Sequence, residues 1–153
     1  SLLKKWREFM RINGEWFQGT DGILRPVIRG EVLNANGLWE PVPFLVDTGA
    51  DRTVFSAAIL YTLDFQPKEE IEDLGGIGGV AETVAVTTKV RMVRDDSRIV
   101  VLRGEFAAFT KIETVEISVL GRDIMSLFAV IVDQPGDVVS LVREKHAYTI
   151  TNQ

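Results

Sequence analysis

The segment Phe44-Leu45-Val46-Asp47-Thr48-Gly49-Ala50-Asp51 passes from three apolar residues to an aspartate, a hydroxyl residue and a glycine. The apolar run reads as a buried strand, and the strand stops at Asp47. A carboxylate at a strand end, on a turn with exposed backbone amides, is held in place yet reachable. Gly49 has no side chain, so another backbone or a ligand can approach closely. The plain alternative is a strand-ending turn, because aspartate and glycine favour turns for purely local reasons.

Two further segments point beyond a plain turn. Gly75-Gly76-Ile77-Gly78-Gly79-Val80 lies downstream, and Val119-Leu120-Gly121-Arg122-Asp123-Ile124-Met125 lies towards the C-terminal end. With Asp47-Thr48-Gly49-Ala50-Asp51, this ordered set resembles the retropepsin-like aspartic proteases, a single-domain family that includes the retroviral enzymes. The resemblance covers roughly Pro26 to Val132. The continuation Phe128-Ala129-Val130-Ile131-Val132-Asp133 is more similar to the cellular and bacterial members than to the viral ones. The fold it implies is mainly β: a closed barrel domain with one or two short helices and a glycine-rich flap hairpin.

One carboxylate cannot run aspartic-protease chemistry. Two must face each other, one as general base on a water and the other as general acid on the substrate carbonyl. Like charges at contact cannot both ionise, so their pKa values split and belong to the pair. No second Asp-Thr/Ser-Gly exists in the chain: Asp96-Ser97-Arg98 lacks the glycine and Asp21-Gly22 lacks the hydroxyl residue. The second aspartate must come from another copy across a two-fold axis, so the sequence predicts a homodimer with one Asp47 per subunit.

The resemblance implies further roles. Asp47, Thr48 and Gly49 form the catalytic turn, with the Thr48 hydroxyl reaching the partner's turn. Asp51 and Arg122 match an ion pair beside the active site, and Gly121 matches a glycine that lets the apolar strand pack under the turn. Gly76, Ile77, Gly78, Gly79 and Val80 match the flap, which closes over an extended peptide and excludes water. Leu45, Ala50, Val54, Ile77, Val80, Ile117 and Val119 would line an apolar groove, with Asp51 and Arg52 beside it. Arg52 either favours an acidic or polar substrate side chain or points to solvent. A peptide bound as a strand takes affinity from its backbone and selectivity from alternate pockets.

Gly76 to Ala81 also fits a loose Gly-x-Gly-x-x-Ala dinucleotide pattern. That pattern needs a helix after it. Here Glu69-Glu70-Ile71-Glu72-Asp73 would repel a phosphate, and Thr83-Val84-Ala85-Val86-Thr87 is β-like.

A chain of 153 residues reads as one domain large enough for a real core. A net charge of −5 argues against nucleic acid as the main partner. The absence of cysteine excludes disulfides, thiolate metal sites and cysteine nucleophiles. His146 is the only histidine, set in the polar run Glu144-Lys145-His146-Ala147-Tyr148, so it reads as a surface residue and a histidine-rich metal site is excluded. Neither a metal nor a cofactor is expected. No membrane-length apolar run and no signal peptide are visible, so a cytoplasmic location is expected; the chain starts at serine, which leaves an upstream region open.

Along the chain, Leu2, Leu3, Trp6, Phe9 and Met10 fall at helical spacing and predict an amphipathic helix over Leu2 to Arg11, with Lys4, Lys5, Arg7 and Arg11 on its other face. Residues 1–24 read as an N-terminal helical extension and 25–153 as the protease-like domain. Strands are expected over Pro26 to Leu33 and Leu38 to Val46, joined by the Asn34–Gly37 turn. Further strands are expected over Thr83 to Val93, Arg98 to Leu102, Glu105 to Phe109, Val115 to Leu120, Ala129 to Val132, Val138 to Val142 and Ala147 to Thr151. Short helices are expected from a Ser56 cap through Leu63 and over Arg122 to Leu127. Many short strands with frequent turns mean a closed or partly closed β domain.

The leading functional reading is a homodimeric aspartic endopeptidase acting on an extended peptide or protein substrate. The rivals are a non-catalytic homodimerisation or peptide-binding module on the same fold, and a peripheral domain that touches a membrane or scaffold through residues 1–13.

Overall fold

In the computed structural model, residues 10–65, 71–76, 79–112, 117–143 and 151 are described, with 71–76 and 79–81 described by backbone alone. Among them are eleven strands and two short helices. The strands are β1 (Met10–Asn13), β2 (Glu15–Gln18), β3 (Leu24–Leu33), β4 (Trp39–Val46), β5 (Val54–Phe55), β6 (Ile71–Gly76), β7 (Gly79–Val93), β8 (Ile99–Phe109), β9 (Ser118–Leu120), β10 (Ala129–Asp133) and β11 (Val138–Arg143). The helices are α1 (Ala57–Leu63) and α2 (Arg122–Met125).

Eight strands form the main sheet in the order β2-β3-β4-β9-β5-β8-β7-β6. One edge of β3 pairs with β4 along its length. The other edge is shared: β2 takes Leu24 to Val27, and β7 takes Glu31 and Val32. That second contact brings the sheet back onto itself. The remaining strands form a small sheet, β1-β11-β10.

Turn chemistry sets the hairpins. Asn34 Oδ1 accepts from the Asn36 and Leu38 amides at 2.9 Å each, and Gly37 takes φ +81°, which closes the β3–β4 turn. Ser97 takes φ +69° in the β7–β8 turn, where the Asp96 carboxylate accepts from the Arg98 amide. Gly76 pairs with Gly79 at the end of β6–β7, the glycine-rich hairpin expected from the sequence; its Ile77 and Gly78 lie outside the described residues.

The core fills the inside of the main sheet. Phe44, Phe55 and Phe106 pack in series as tilted aromatic pairs, with ring centroids 6.2 and 5.6 Å apart. Val32, Val42, Val90, Met92, Leu120 and Leu63 pack around them.

The N-terminal segment differs from expectation. Met10 and Arg11, read as the end of a helix, lie in β1, antiparallel to β11, with Met10 opposite Arg143 and Ile12 opposite Leu141. Residues 1–9 of that helix lie outside the described residues. The physical reason is pairing: a free β11 edge supplies ladder hydrogen bonds that outweigh a local 3.6-residue spacing, and Ile12 is buried by it. The chain then enters β2, where the Trp16 indole N–H donates to the Asp133 and Val138 carbonyls at 3.1 and 3.3 Å. Trp16 thereby joins the two sheets.

The expected break between Leu102 and Glu105 is also absent, and β8 runs through. Gly104 sits in register opposite Thr88, covered by the Phe106 ring. The second helix ends at Met125 rather than Leu127. Residues 144–150, which include His146 and most of the expected Ala147–Thr151 strand, and residues 115–116 of the expected Val115–Leu120 strand lie outside the described residues. Thr151 is in no strand, and β9 begins at Ser118 with Ile117 in a bend before it.

Candidate active site

Three strands meet beneath the Asp47 turn. β9 lies between β4 and β5, parallel to β4 and antiparallel to β5. In register, Leu45 stands opposite Val119, and Val119 opposite Val54. These three residues of the expected groove therefore form one row across adjacent strands. The alternate positions Phe44, Val46, Phe55 and Leu120 point the other way, into the core. Val54 and Val119 are buried, whereas Leu45 and Ile117 are half-buried.

The β4 strand ends at Val46, and Asp47 begins the turn. Its amide still bonds to the Leu120 carbonyl at 3.2 Å, so β9 fixes the residue that carries the carboxylate. The Asp47 Oδ1 atom accepts from the Gly49 amide at 3.0 Å, and the Asp47 carbonyl accepts from the Ala50 amide at 3.1 Å. A side-chain contact to the residue two ahead is the Asx turn that aspartate favours. Asp47 remains half-exposed, with Thr48 and Gly49 exposed beside it. The turn holds one carboxylate at the surface, oriented by backbone at both ends.

The α2 segment clamps the same turn from the other side. The Arg122 amide donates to the Ala50 carbonyl at 2.8 Å and the Asp123 amide to the Asp51 carbonyl at 3.2 Å. The Arg122 guanidinium donates to the Thr48 carbonyl at 2.8 Å and pairs with the Asp51 carboxylate. Arg122 thus bridges the turn's backbone and its acidic neighbour, using the fan of donors that suits arginine. The two groups expected as an ion pair do meet, and the contact to Thr48 is an addition.

Gly121 explains why the sequence can place α2 there. A Cβ on this glycine would stand 2.2 Å from the Arg52 carbonyl carbon and 2.4 Å from its oxygen. Its φ of −100° suits any residue, so the demand is for space. Thr53 completes the join. It is fully buried, donates from its amide and hydroxyl to the Asp123 carboxylate, and accepts the Gly121 amide at 3.1 Å. Sequence reasoning included Asp123 in the Val119–Met125 motif without giving it a role, and did not single out Thr53, whose only signal was a hydroxyl residue just after the Asp47–Asp51 motif.

Of the other expected residues, Ala50 and Arg52 lie half-buried on the turn with Asp51 exposed between them. Gly76 and Gly79 pair at the hairpin end, and Val80 pairs with Gly75. Among the described residues, no group of histidine, cysteine, aspartate and glutamate could hold a metal ion, and no helix is long and apolar enough to cross a membrane.

A family profile described as aspartyl protease matches residues 31–124, from within β3 to α2. A retropepsin-like aspartic protease from Rickettsia conorii shares the fold: TM-score 0.58 at 18% identity, covering 88% of this chain and 92% of that one. The EIAV protease, solved in complex with the inhibitor HBY-793, is 26% identical, covering 67% of this chain and 86% of that one with a TM-score of 0.47. No curated protein sequence matches the chain. The matched profile spans more than half of the sequence and takes in both the Asp47 turn and the Gly121-Arg122-Asp123 run, and the chain therefore belongs to the aspartyl protease family that this profile describes, on a fold shared with the Rickettsia enzyme.

Proposed function

We propose that this chain is an aspartic endopeptidase that works as a homodimer, with a water activated between two Asp47 carboxylates, one from each subunit. The observation that carries the reading is Asp47 itself: a half-exposed carboxylate at a strand end, its amide fixed by Leu120 and its Oδ1 oriented by Gly49. The chain has a single Asp-Thr-Gly, so the chemistry needs a second copy. Across a two-fold axis the pair shares one proton. The ionised member takes a proton from water as it attacks the scissile carbonyl, and the protonated member donates to the carbonyl oxygen. The Thr48 hydroxyl, exposed at the turn, would reach the partner's turn, and Gly49 would leave room for substrate backbone.

The substrate reading follows from the row Leu45, Val119 and Val54, joined by Ala50 and Ile117. Apolar residues flanking the cut suit that floor. The β6–β7 hairpin, where Gly76 pairs with Gly79 and Gly75 with Val80, would serve as the flap over an extended peptide, with Ile77 and Gly78 as the flap residues expected from the sequence. Arg52 and Asp51 would stand at the rim, and Arg122 would keep the turn rigid. The β3–β7 pairing supports reading the main sheet as a closed barrel.

Turnover of a peptide library at acidic and neutral pH tests the proposal, with Asp47→Asn as the control. Cleavage by the parent chain that is lost in the variant supports it. A chain that binds a transition-state mimic or dimerises but never cleaves would instead be a peptide-binding module.

A further inference from the structure

The Asp123 carboxylate is the most heavily used acceptor near the Asp47 turn. Its Oδ1 accepts from the Thr53 hydroxyl at 2.7 Å and from the Thr53 and Ile124 amides at 2.9 Å each, and its Oδ2 also accepts from the Thr53 amide at 2.9 Å. Thr53 lies 70 residues away in sequence and is fully buried. Its hydroxyl cannot serve Asp123 and ignore the rest, because the same oxygen accepts the buried Gly121 amide at 3.1 Å. The result is a relay from an exposed acid, through a buried hydroxyl, to the backbone of the glycine that packs on Arg52.

The position of this relay gives it leverage. The turn from Thr48 to Thr53 is bridged by three consecutive residues. Gly121 packs on Arg52 and bonds to Thr53, Arg122 holds Ala50, Thr48 and Asp51, and Asp123 holds Asp51 and Thr53. The first two act through backbone or a surface guanidinium. Only Asp123 couples α2 to the buried end of the turn through side chains on both sides. Releasing it leaves the Thr53 hydroxyl with one partner and lets Thr53 shift relative to Gly121, and the Asp47 loop is carried on that joint.

We infer that Asp123, acting through Thr53, is a positioning residue for Asp47: it fixes the height and angle of the catalytic turn without touching substrate. The inference rests on the endopeptidase reading for its catalytic consequence and on geometry alone for its structural one. It distinguishes the members of the network by chemistry. Asparagine at 123 keeps an oxygen at the Oδ1 position, where the Thr53 hydroxyl, the Thr53 amide and the Ile124 amide all converge, but puts an N–H donor in place of Oδ2 facing the Thr53 amide, so Asp123→Asn should fall between the parent and Asp123→Ala. Alanine removes every contact. Thr53→Ser keeps the hydroxyl and Thr53→Val deletes it at constant shape, leaving the Gly121 amide without its acceptor.

The test is a set of four variants, Asp123→Ala, Asp123→Asn, Thr53→Val and Thr53→Ser, read by two independent measurements on the full chain. The first is peptide turnover at saturating dimer. Asp123→Ala and Thr53→Val should lower kcat by roughly tenfold or more with KM changed less than about threefold, because a displacement on the order of 1 Å can cost about 100-fold. Thr53→Ser should stay within about threefold of the parent, and Asp123→Asn should lie between the parent and Asp123→Ala. The second is amide hydrogen exchange of Ala50 and Arg122, compared with Val90 in the β7–β8 hairpin. The alanine and valine variants should speed exchange at the turn and leave Val90 unchanged, as local opening requires. Equal acceleration at Val90 would mean only a weaker fold and would overturn the inference, and so would unchanged exchange at the turn in Asp123→Ala. If the parent chain cleaves no peptide, the endopeptidase reading fails, and the exchange pattern alone decides whether Asp123 positions the turn.

Discussion

The Gly121 backbone lies against the Arg52 carbonyl so closely that a methyl group on Gly121 would stand 2.4 Å from the carbonyl oxygen. This contact seats the β9–α2 junction under the Asp47 turn. Gly121→Ala must push the two segments apart, because the obstructing atoms are backbone and cannot rotate away. Overpacking of this kind costs roughly 1–3 kcal/mol. The expected result is a lower melting temperature together with loss of peptide turnover beyond what the fold change explains. An alanine variant as stable and active as the parent would show that the junction is softer than its geometry.

Asp47→Asn tests the chemistry with least disturbance to shape. The amide oxygen can still accept from the Gly49 amide, so the turn and the melting temperature should persist. Turnover should fall by about 100- to 10,000-fold, the usual worth of a general acid–base group. Residual activity within a few-fold of the parent would assign the chemistry elsewhere.

Dependence on a second subunit predicts a concentration effect. Specific activity should fall as protein is diluted through the dimer dissociation constant, since a lone chain carries one Asp-Thr-Gly. Sedimentation at the same concentrations should follow the same curve. Constant specific activity in a chain shown to be monomeric would remove the two-subunit mechanism.

Legibility in the sequence follows the range of the forces involved. The Asp47 turn and α1 are local: Ser56 caps through its own hydroxyl to Ile59, and Asp64 ends the helix at φ +56°, so a few neighbouring residues carry the signal. The β5 strand is two residues long and has no period of its own; Val54 and Phe55 are strand only because β8 and β9 flank them. Gly104 looked like a break, yet the Phe106 ring covers it and the strand continues. The Thr53–Asp123 joint depends on a contact across 70 residues, which no local pattern encodes. The same holds for β1, where helical spacing of apolar residues yielded to pairing with β11.

Asp21 gives a pH marker at the loop before β3. Its carboxylate is bidentate to Arg25 and accepts the Ile23 amide, and its pKa is lowered from 3.8 to about 2, chiefly by the Arg25 hydrogen bond. A depressed acid favours the folded state above its unfolded pKa, and that contribution disappears as pH falls through the folded value. The window is therefore from about pH 4 down to about pH 2. An Asp21 side-chain resonance titrating near 2 checks this, and Arg25→Ala should bring the midpoint back towards 3.8. A midpoint of 3.8 in the parent chain would show that the pair does not persist in solution.

Ile12 and Trp16 decide whether the N-terminal residues are an extension or a part of the fold. Ile12 is 1% exposed and stands in β1 opposite Leu141, and Trp16 donates across to Asp133 and Val138. If residues from Met10 onwards are integral, Ile12→Ala should cost about 2–5 kcal/mol, as for other buried isoleucines. For a domain of this size that is a fall in melting temperature of roughly 4–20 °C. A chain starting at Met10 should keep the parent's melting temperature, whereas one starting at Gly19 loses both strands and should fail to fold cooperatively. The comparison separates two roles that a single truncation confuses. If the Gly19 start melts like the parent, the strands are dispensable and the segment serves assembly alone. If the Met10 start is already destabilised, residues 1–9 contribute to the folded state.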